Sequence, residues 1–207
     1  DNDISITTKD LTRRIKTAGL DFASLPDEQF DNALGVSTGA SVTFGASGGV
    51  LEAALRTAVE HLTGTELKEP DFVEIRGDEG IKEATYKVLD MDVKVCSISG
   101  MKNVEKVLRA VKAGEMFYHI IEIMACPGGC INGGGQPIQP AIVRNNTDLK
   151  KLRAKALYNE DVLKEHRKSH ENPLVKKVYE DYLGETGSET AHHVLHTSYK
   201  IRKPKYM

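Results

Sequence analysis

Apolar side chains recur at helical spacing from Leu51 through Ala54, Leu55, Ala58 and Val59 to Leu62, and Gly64 ends the run. That period predicts an amphipathic helix, reached through the glycine-rich turn Gly45-Ala46-Ser47-Gly48-Gly49. A shorter stripe, Leu11 and Ile15, predicts a helix over residues 9–18, with Thr7 or Thr8 as cap and Gly19 as stop. Alternation with period two predicts strands over 72–76, 81–88 and 92–99, punctuated by Gly77-Asp78-Glu79-Gly80 and Asp90. Ile4-Ser5-Ile6 reads as a short strand, 21–40 as loop and Val42-Thr43-Phe44 as a brief extended run. Asn103 is placed as the cap of a helix through Val111, closed by Gly114. Residues 118–124, β-branched and largely apolar, predict a buried strand. From Leu149 onward large apolar residues thin out, and helices are predicted over 152–165, 173–183 and 189–196, wrapping the core or a partner. The expected fold is α/β: a small mixed or parallel sheet flanked by helices (residues 1–148), followed by a helical extension (residues 149–207).

Composition narrows the function classes. At 207 residues, 40% hydrophobic and 28% charged, the chain has the make-up of an ordinary globular protein. A formal net charge of -2 offers no basic face for nucleic acid. No apolar run approaches the roughly 20 residues of a membrane span, so no membrane partner is expected. The chain opens Asp1-Asn2-Asp3, without a basic-then-apolar leader or an initiator Met, and is expected to be a processed or split piece of a cytoplasmic protein. Three cysteines make a disulfide framework a poor reading and a reducing compartment a better one. Cys96, inside an alternating strand, is expected to be a small buried apolar residue.

Chemistry concentrates in Met124-Ala-Cys126-Pro-Gly-Gly-Cys130-Ile-Asn-Gly-Gly-Gly-Gln-Pro137. Two thiols four residues apart sit on a stretch free of charged side chains from Met124 to Pro140. Thiolates and closely approaching glycine amides suit an anionic iron–sulfur cluster. The loop follows directly on a predicted strand, at the sheet edge where open α/β folds place their sites. Incidental buried thiols would not account for so many glycines, which cost backbone entropy without adding packing. Zinc completed by His192, His193 or His196 is the alternative metal, though C-x3-C is not the usual spacing. A redox dithiol would need C-x-x-C, and the radical S-adenosylmethionine pattern needs a further Cys where Asn132-Gly133-Gly134 stands. A cubane takes about four protein ligands, so the loop reads as half a site.

The cysteine loop resembles the third cluster-binding signature of the iron–iron (FeFe) hydrogenases. Ser37-Thr-Gly-Ala-Ser-Val-Thr-Phe-Gly-Ala-Ser-Gly-Gly-Val-Leu-Glu-Ala-Ala-Leu-Arg56, Arg167-Lys-Ser-His-Glu-Asn-Pro173 and Ala191-His-His-Val-Leu-His196 resemble further segments of that family. The resemblance implies one lobe of the hydrogenase fold and reversible cleavage of H2 into protons and electrons. It implies a cofactor made of a 4Fe-4S cubane joined through a cysteine sulfur to a two-iron unit. By it Cys126 is a cubane ligand, Cys130 is the ligand bridging to the two-iron unit, and Met124, Phe44 and Gly45 line the pocket. The family's first two signatures, with their two further cubane cysteines, do not occur in this sequence. The implied partners are an N-terminal lobe carrying them and a ferredoxin or NAD(P)-linked electron-transfer subunit, and the chain alone is expected to be inactive. The rival is a hydrogenase-like iron–sulfur assembly module without the two-iron unit. The Gly45–Gly49 turn lacks the Lys of a P-loop and is read as pocket wall or as tight helix–sheet packing. Glu52 and Glu122 are expected to be surface or cap residues.

Overall fold

A computed structural model describes residues 3–28, 36–77 and 79–198. The first helix, α1 (Thr8–Thr17), is fixed by Thr7, which forms a reciprocal capping box with Asp10. Residues 4–6 extend irregularly and join no strand, contrary to expectation. The segment read as extended is helical: α2 (Gly39–Val42), capped by Thr38, runs into a 3₁₀ turn over Thr43–Gly45. Local capping of a four-residue turn overrides the β preference of Val-Thr-Phe there. Next comes α3 (Gly49–Thr63), closed by Gly64 in the left-handed region.

The predicted strand over 72–76 is instead a 3₁₀ turn, Val73–Ile75, and Phe72, which precedes it, and Ile75 are both buried in the core. The sheet has three strands: β1 (Ile81–Val88), β2 (Met91–Ser99) and, after α4 (Met101–Lys112), β3 (Ile120–Met124). A tight turn at Leu89 and Asp90 pairs β1 with β2 antiparallel, Ile81 opposite Ile98. Strand β3 pairs parallel to β2, Val95 opposite Ile120 and Ser99 opposite Met124. The sheet is therefore mixed, as read. Helix α4 starts two residues before the predicted cap, and Asn103 instead donates its side-chain amide to the Ser99 carbonyl at 2.8 Å.

The strand pleat sorts two cores. Val93 and Val95 face α3 and meet Leu51, Leu55, Phe72, Ile75 and Val88. Cys96 and Ile98 face α4 and meet Val104 and Val107. Cys96 is fully buried, the inert position expected of it. The C-terminal part holds α5 (Ala141–Asn146), which no periodicity announced, α6 (Leu149–Leu163), α7 (Pro173–Val178) with a π turn over Tyr179–Leu183, and α8 (Glu189–Leu195). Helix α6 lies against α2 and sends Asp161 into the interior, where it is fully buried beside Arg56.

That contact belongs to a charge network. The five N–H groups of Arg56 are all engaged: by the Pro70 carbonyl, by Glu52, by both oxygens of Asp161 and by the Arg167 carbonyl, at 2.7–2.9 Å. Arg76 joins Glu52 to Asp71, and Arg167 joins Asp71 to Asp161. Three guanidinium and three carboxylate groups thus balance, and burial of Arg56, Glu52 and Asp161 is tolerable because each is bonded on several sides. Glu52, expected from sequence to be a surface or cap residue, is accordingly an interior residue.

Candidate metal centre

The parallel pair β2 and β3 ends at one edge, and there the Gly100 amide donates to the Met124 carbonyl at 3.0 Å. Met124 is half-buried at the end of β3. The chain then turns through Pro127, Gly128 and Gly129, both glycines at positive φ, into a short 3₁₀ turn over Cys130–Asn132. Cys126 is half-buried and Cys130 exposed. A β-carbon placed on Gly133 would lie 3.9 Å from the Cys126 sulfur, so the backbone after the second cysteine passes close to the first thiol.

The loop is internally braced. Gly129 N donates to Cys126 O, Asn132 N to Gly129 O, Gly133 N to Cys130 O and Gln136 N to Gly133 O, at 3.0–3.1 Å. The Asn132 side chain donates to Pro127 O and the Gln136 side chain to Cys130 O. Fewer amides are therefore left for cluster sulfurs than the glycine content suggested.

The wall behind the loop is the turn leading into α3. Ser47 N donates to Gly128 O at 3.1 Å. At Gly129 φ is 93°, and a β-carbon would sit 2.6 Å from Gly45 O and from Ser47 N, so only glycine permits this contact. Gly45 also faces Leu157 of α6 and Ile131, while Phe44 is 45% exposed beside it. The structure thus brings Gly45 against the loop between the cysteines and leaves Phe44 open.

Sequence reasoning missed what holds that turn. Glu122 is 7% exposed and accepts from Gly48 N at 2.6 Å and Leu51 N at 2.8 Å. It is a cap residue, as expected, but caps a helix distant in sequence. Its carboxylate fills the positive end of α3, so the turn is not a phosphate cradle.

The tail histidines stand apart from the thiols. His192 and His196 face each other with Nδ1 atoms 2.9 Å apart on an exposed helix end. Among the described residues no group of three or more His, Cys, Asp or Glu side chains could hold a metal ion. The donor set on this chain is two soft thiols on a charge-free loop, which fits part of an iron–sulfur ligand set. Among the described residues no helix is long and apolar enough to cross a membrane.

Two family models cover most of the sequence: "Iron only hydrogenase large subunit, C-terminal domain" over residues 1–134, and "Iron hydrogenase small subunit" over 147–202. The chain belongs to the iron-only hydrogenase family. Among its relatives, the NADP-reducing hydrogenase subunit HndD of Solidesulfovibrio fructosivorans is 50% identical over 203 residues, 98% of this chain and 34% of that protein. The solved [FeFe]-hydrogenase HydA1 of Chlamydomonas reinhardtii superposes with a TM-score of 0.69 at 37% identity, over 91% of this chain and 53% of that one. Protein NAR1 of Arabidopsis thaliana is 32% identical over 202 residues, 95% of this chain and 42% of that protein. The chain spans about a third of the length of the HndD relative.

Proposed function

We propose that this chain supplies one side of a hydrogenase centre, contributing Cys126 and Cys130 as two cubane ligands to a protein that interconverts H2 with protons and electrons. The observation that carries the reading is the braced C-x3-C loop at the carboxyl edge of the parallel strands, in a chain 50% identical to a hydrogenase subunit. When bound, the 4Fe-4S cubane and its two-iron unit would supply the hydrogen-splitting chemistry. The chain's own residues hold and shield it. Cys126 and Cys130 would hold the cubane, Cys130 as the ligand toward the two-iron unit, and Met124, Phe44 and Gly45 would offer soft, apolar or backbone-only surface to it, Phe44 once the N-terminal lobe covers it.

Two thiols cannot complete the ligand set, so the remaining ligands and the proton path come from an N-terminal lobe. Phe44 (45% exposed), Ile138 (80%) and Ile142 (73%) flank or follow the loop and offer that lobe apolar contact. Ferredoxin or an NAD(P)-linked subunit would be the electron partner of such a centre. The same reading puts the protein in the cytoplasm, which fractionation checks, and divides it at residues 148 and 149, which limited proteolysis checks.

The test is anaerobic assembly with the cluster-bearing N-terminal lobe of a family member. C126S and C130S should each abolish the 4Fe-4S spectrum and H2 turnover, while the chain alone shows neither. Turnover by the chain alone, or turnover surviving C126S/C130S, overturns the proposal. A second reading, a non-catalytic iron–sulfur assembly module, has in its favour the alignment with cytosolic iron-sulfur assembly component 3 of Bos taurus, 29% identical over 206 residues. A stable cluster without H2 turnover in the assembled protein would select it.

A further inference from the structure

Three polar side chains form one transverse row across the sheet. Lys82 of β1 lies opposite Ser97 of β2, and Ser97 lies opposite Glu122 of β3. Their exposures are 6%, 0% and 7%. The neighbouring row, Ala84, Val95 and Ile120, is apolar, so the polar row interrupts the surface that faces α3. Burying an ammonium and a carboxylate in such a place is costly unless both are bonded.

Their bonds converge on one turn. Lys82 Nζ donates to Ser47 O at 3.1 Å and to Ser47 Oγ at 3.3 Å, and reaches Gly77 O at 2.9 Å. Ser97 Oγ lies 3.3 Å from Ser47 Oγ and donates to Glu122 Oε1 at 3.0 Å. Glu122 receives the amides of Gly48 and Leu51. On its other side the same turn receives the cysteine loop, through Ser47 N to Gly128 O and the close approach of Gly129 to Gly45 O. The turn is held between the polar row and the loop.

We infer that Lys82 and Glu122 are positioning residues for Cys126 and Cys130. They fix the 45–49 turn from behind, and the turn fixes the backbone between the two thiols. Lys82 sets the Ser47 carbonyl and Glu122 sets the next amide, so the intervening peptide is restrained at both ends. The importance of this for a metal rests on the proposed function; the loop geometry itself is measurable without metal.

The test uses the full chain, metal-free and reduced. The variants are E122Q, K82M, the conservative K82R, and V107A as a control that loosens the α4 side without touching the turn. Amide hydrogen exchange is read at Ser47 and across 126–133, together with the ratio of Cys126 to Cys130 alkylation by iodoacetamide. E122Q turns an N–H donor toward backbone amides, so exchange there should rise about ten- to hundredfold. K82M should act in the same direction, and half-buried Cys126 should gain on exposed Cys130 in both. K82R should restore the unmodified values, and V107A should lower Tm and move neither readout. S97A, which trims only the hydroxyl between the charged ends, gives a milder shift of the same sign should E122Q fail to fold. The inference falls if loop exchange and the alkylation ratio stay unchanged in E122Q, K82M and S97A, or if V107A moves them equally. Loss of the metal-binding reading would leave these outcomes intact, so the two can fail separately.

Discussion

Replacing Arg56 with Met removes the centre of the buried charge network while keeping an unbranched apolar stem. Asp161 loses two bonds of 2.8 Å and Glu52 loses one of 2.7 Å, and both carboxylates are fully buried. Arg167 and Arg76 still touch them, but three carboxylates then face two guanidinium groups. Breaking a buried pair from one side costs about 3–5 kcal/mol, a large share of the roughly 5–15 kcal/mol that holds a domain folded. With a urea slope of about 2 kcal/mol per molar, the midpoint should fall by about 2 M. The deficit should also depend on pH. Burial alone would push Asp161 up, but the bonds from Arg56 and Arg167 override it and hold its carboxyl below the ordinary value. In the unmodified protein that carboxylate contributes stability above its unfolded pKa of about 3.9, and the contribution is lost as pH falls through the folded value. In R56M burial gains the upper hand, the folded pKa rises, and a proton on Asp161 relieves the unpaired charge. The deficit of R56M should therefore shrink as pH is lowered from 7 toward 4, and D161N added to R56M should recover part of it. A deficit below about 1 kcal/mol at pH 7, or one constant across that range, would refute the argument that the network carries this energy.

The Lys168 ammonium, bonded at 2.7 Å, holds Glu60 down at about 2. Its stabilisation is present above the unfolded carboxylate value and lost as pH falls toward 2, so E60Q should flatten this part of the acid limb in pH-dependent urea melts. Burial pushes the Cys96 thiol up to about 11, so at pH 8 the native chain should alkylate at Cys130 and Cys126 while Cys96 reacts only after denaturant is added, as peptide mass mapping will show. G129A demands a positive φ of a residue with a β-carbon 2.6 Å from Gly45 O; it should cost about 1–3 kcal/mol in a denaturant melt, and a melt within error of the unmodified chain would contradict the tight loop–turn contact.

Helices α1 and α3 were legible because each carries an apolar stripe, and α1 also brings its own capping box, whereas α4 was placed from Asn103, which is not its cap, and from the Gly114 stop. The thiol loop was legible because Cys126 and Cys130 are four residues apart, within one local segment. Short segments were not. Val42-Thr43-Phe44 has β-branched composition yet folds as a turn, since a capping threonine and the adjoining helix outweigh three residues of propensity. Phe72, the cap position, and Ile75 are spaced by three, the period of the 3₁₀ turn between them, and that spacing was the overlooked signal. The charge network was hidden by distance along the chain: Arg56 and Asp161 are 105 residues apart. Only the i,i+4 pair Glu52 and Arg56 on an otherwise apolar helix face hinted at it. The row Lys82, Ser97 and Glu122 cannot be aligned until strand register is known, because a slip of one residue would send each to the opposite face.

The placement of charge around the thiol loop follows from those registers. Met124 to Pro140 carries none, while Lys82 and Glu122 stand one layer behind it, separated from the loop by the 45–49 backbone. A charge in the loop itself would pair with a thiolate or compete with a cation for it. A charge behind a bonded turn instead acts through direction: the Lys82 ammonium orients a carbonyl, the Glu122 carboxylate orients amides, and the peptide between them is restrained from both sides. Glycine completes the device, because the peptide can be fixed so close to the loop only where Gly129 presents no side chain. Rigidity between the two thiols is thus supplied by the sheet and delivered through the backbone, while beyond Cys130 the Arg153 guanidinium holds the Ile131 and Pro137 carbonyls.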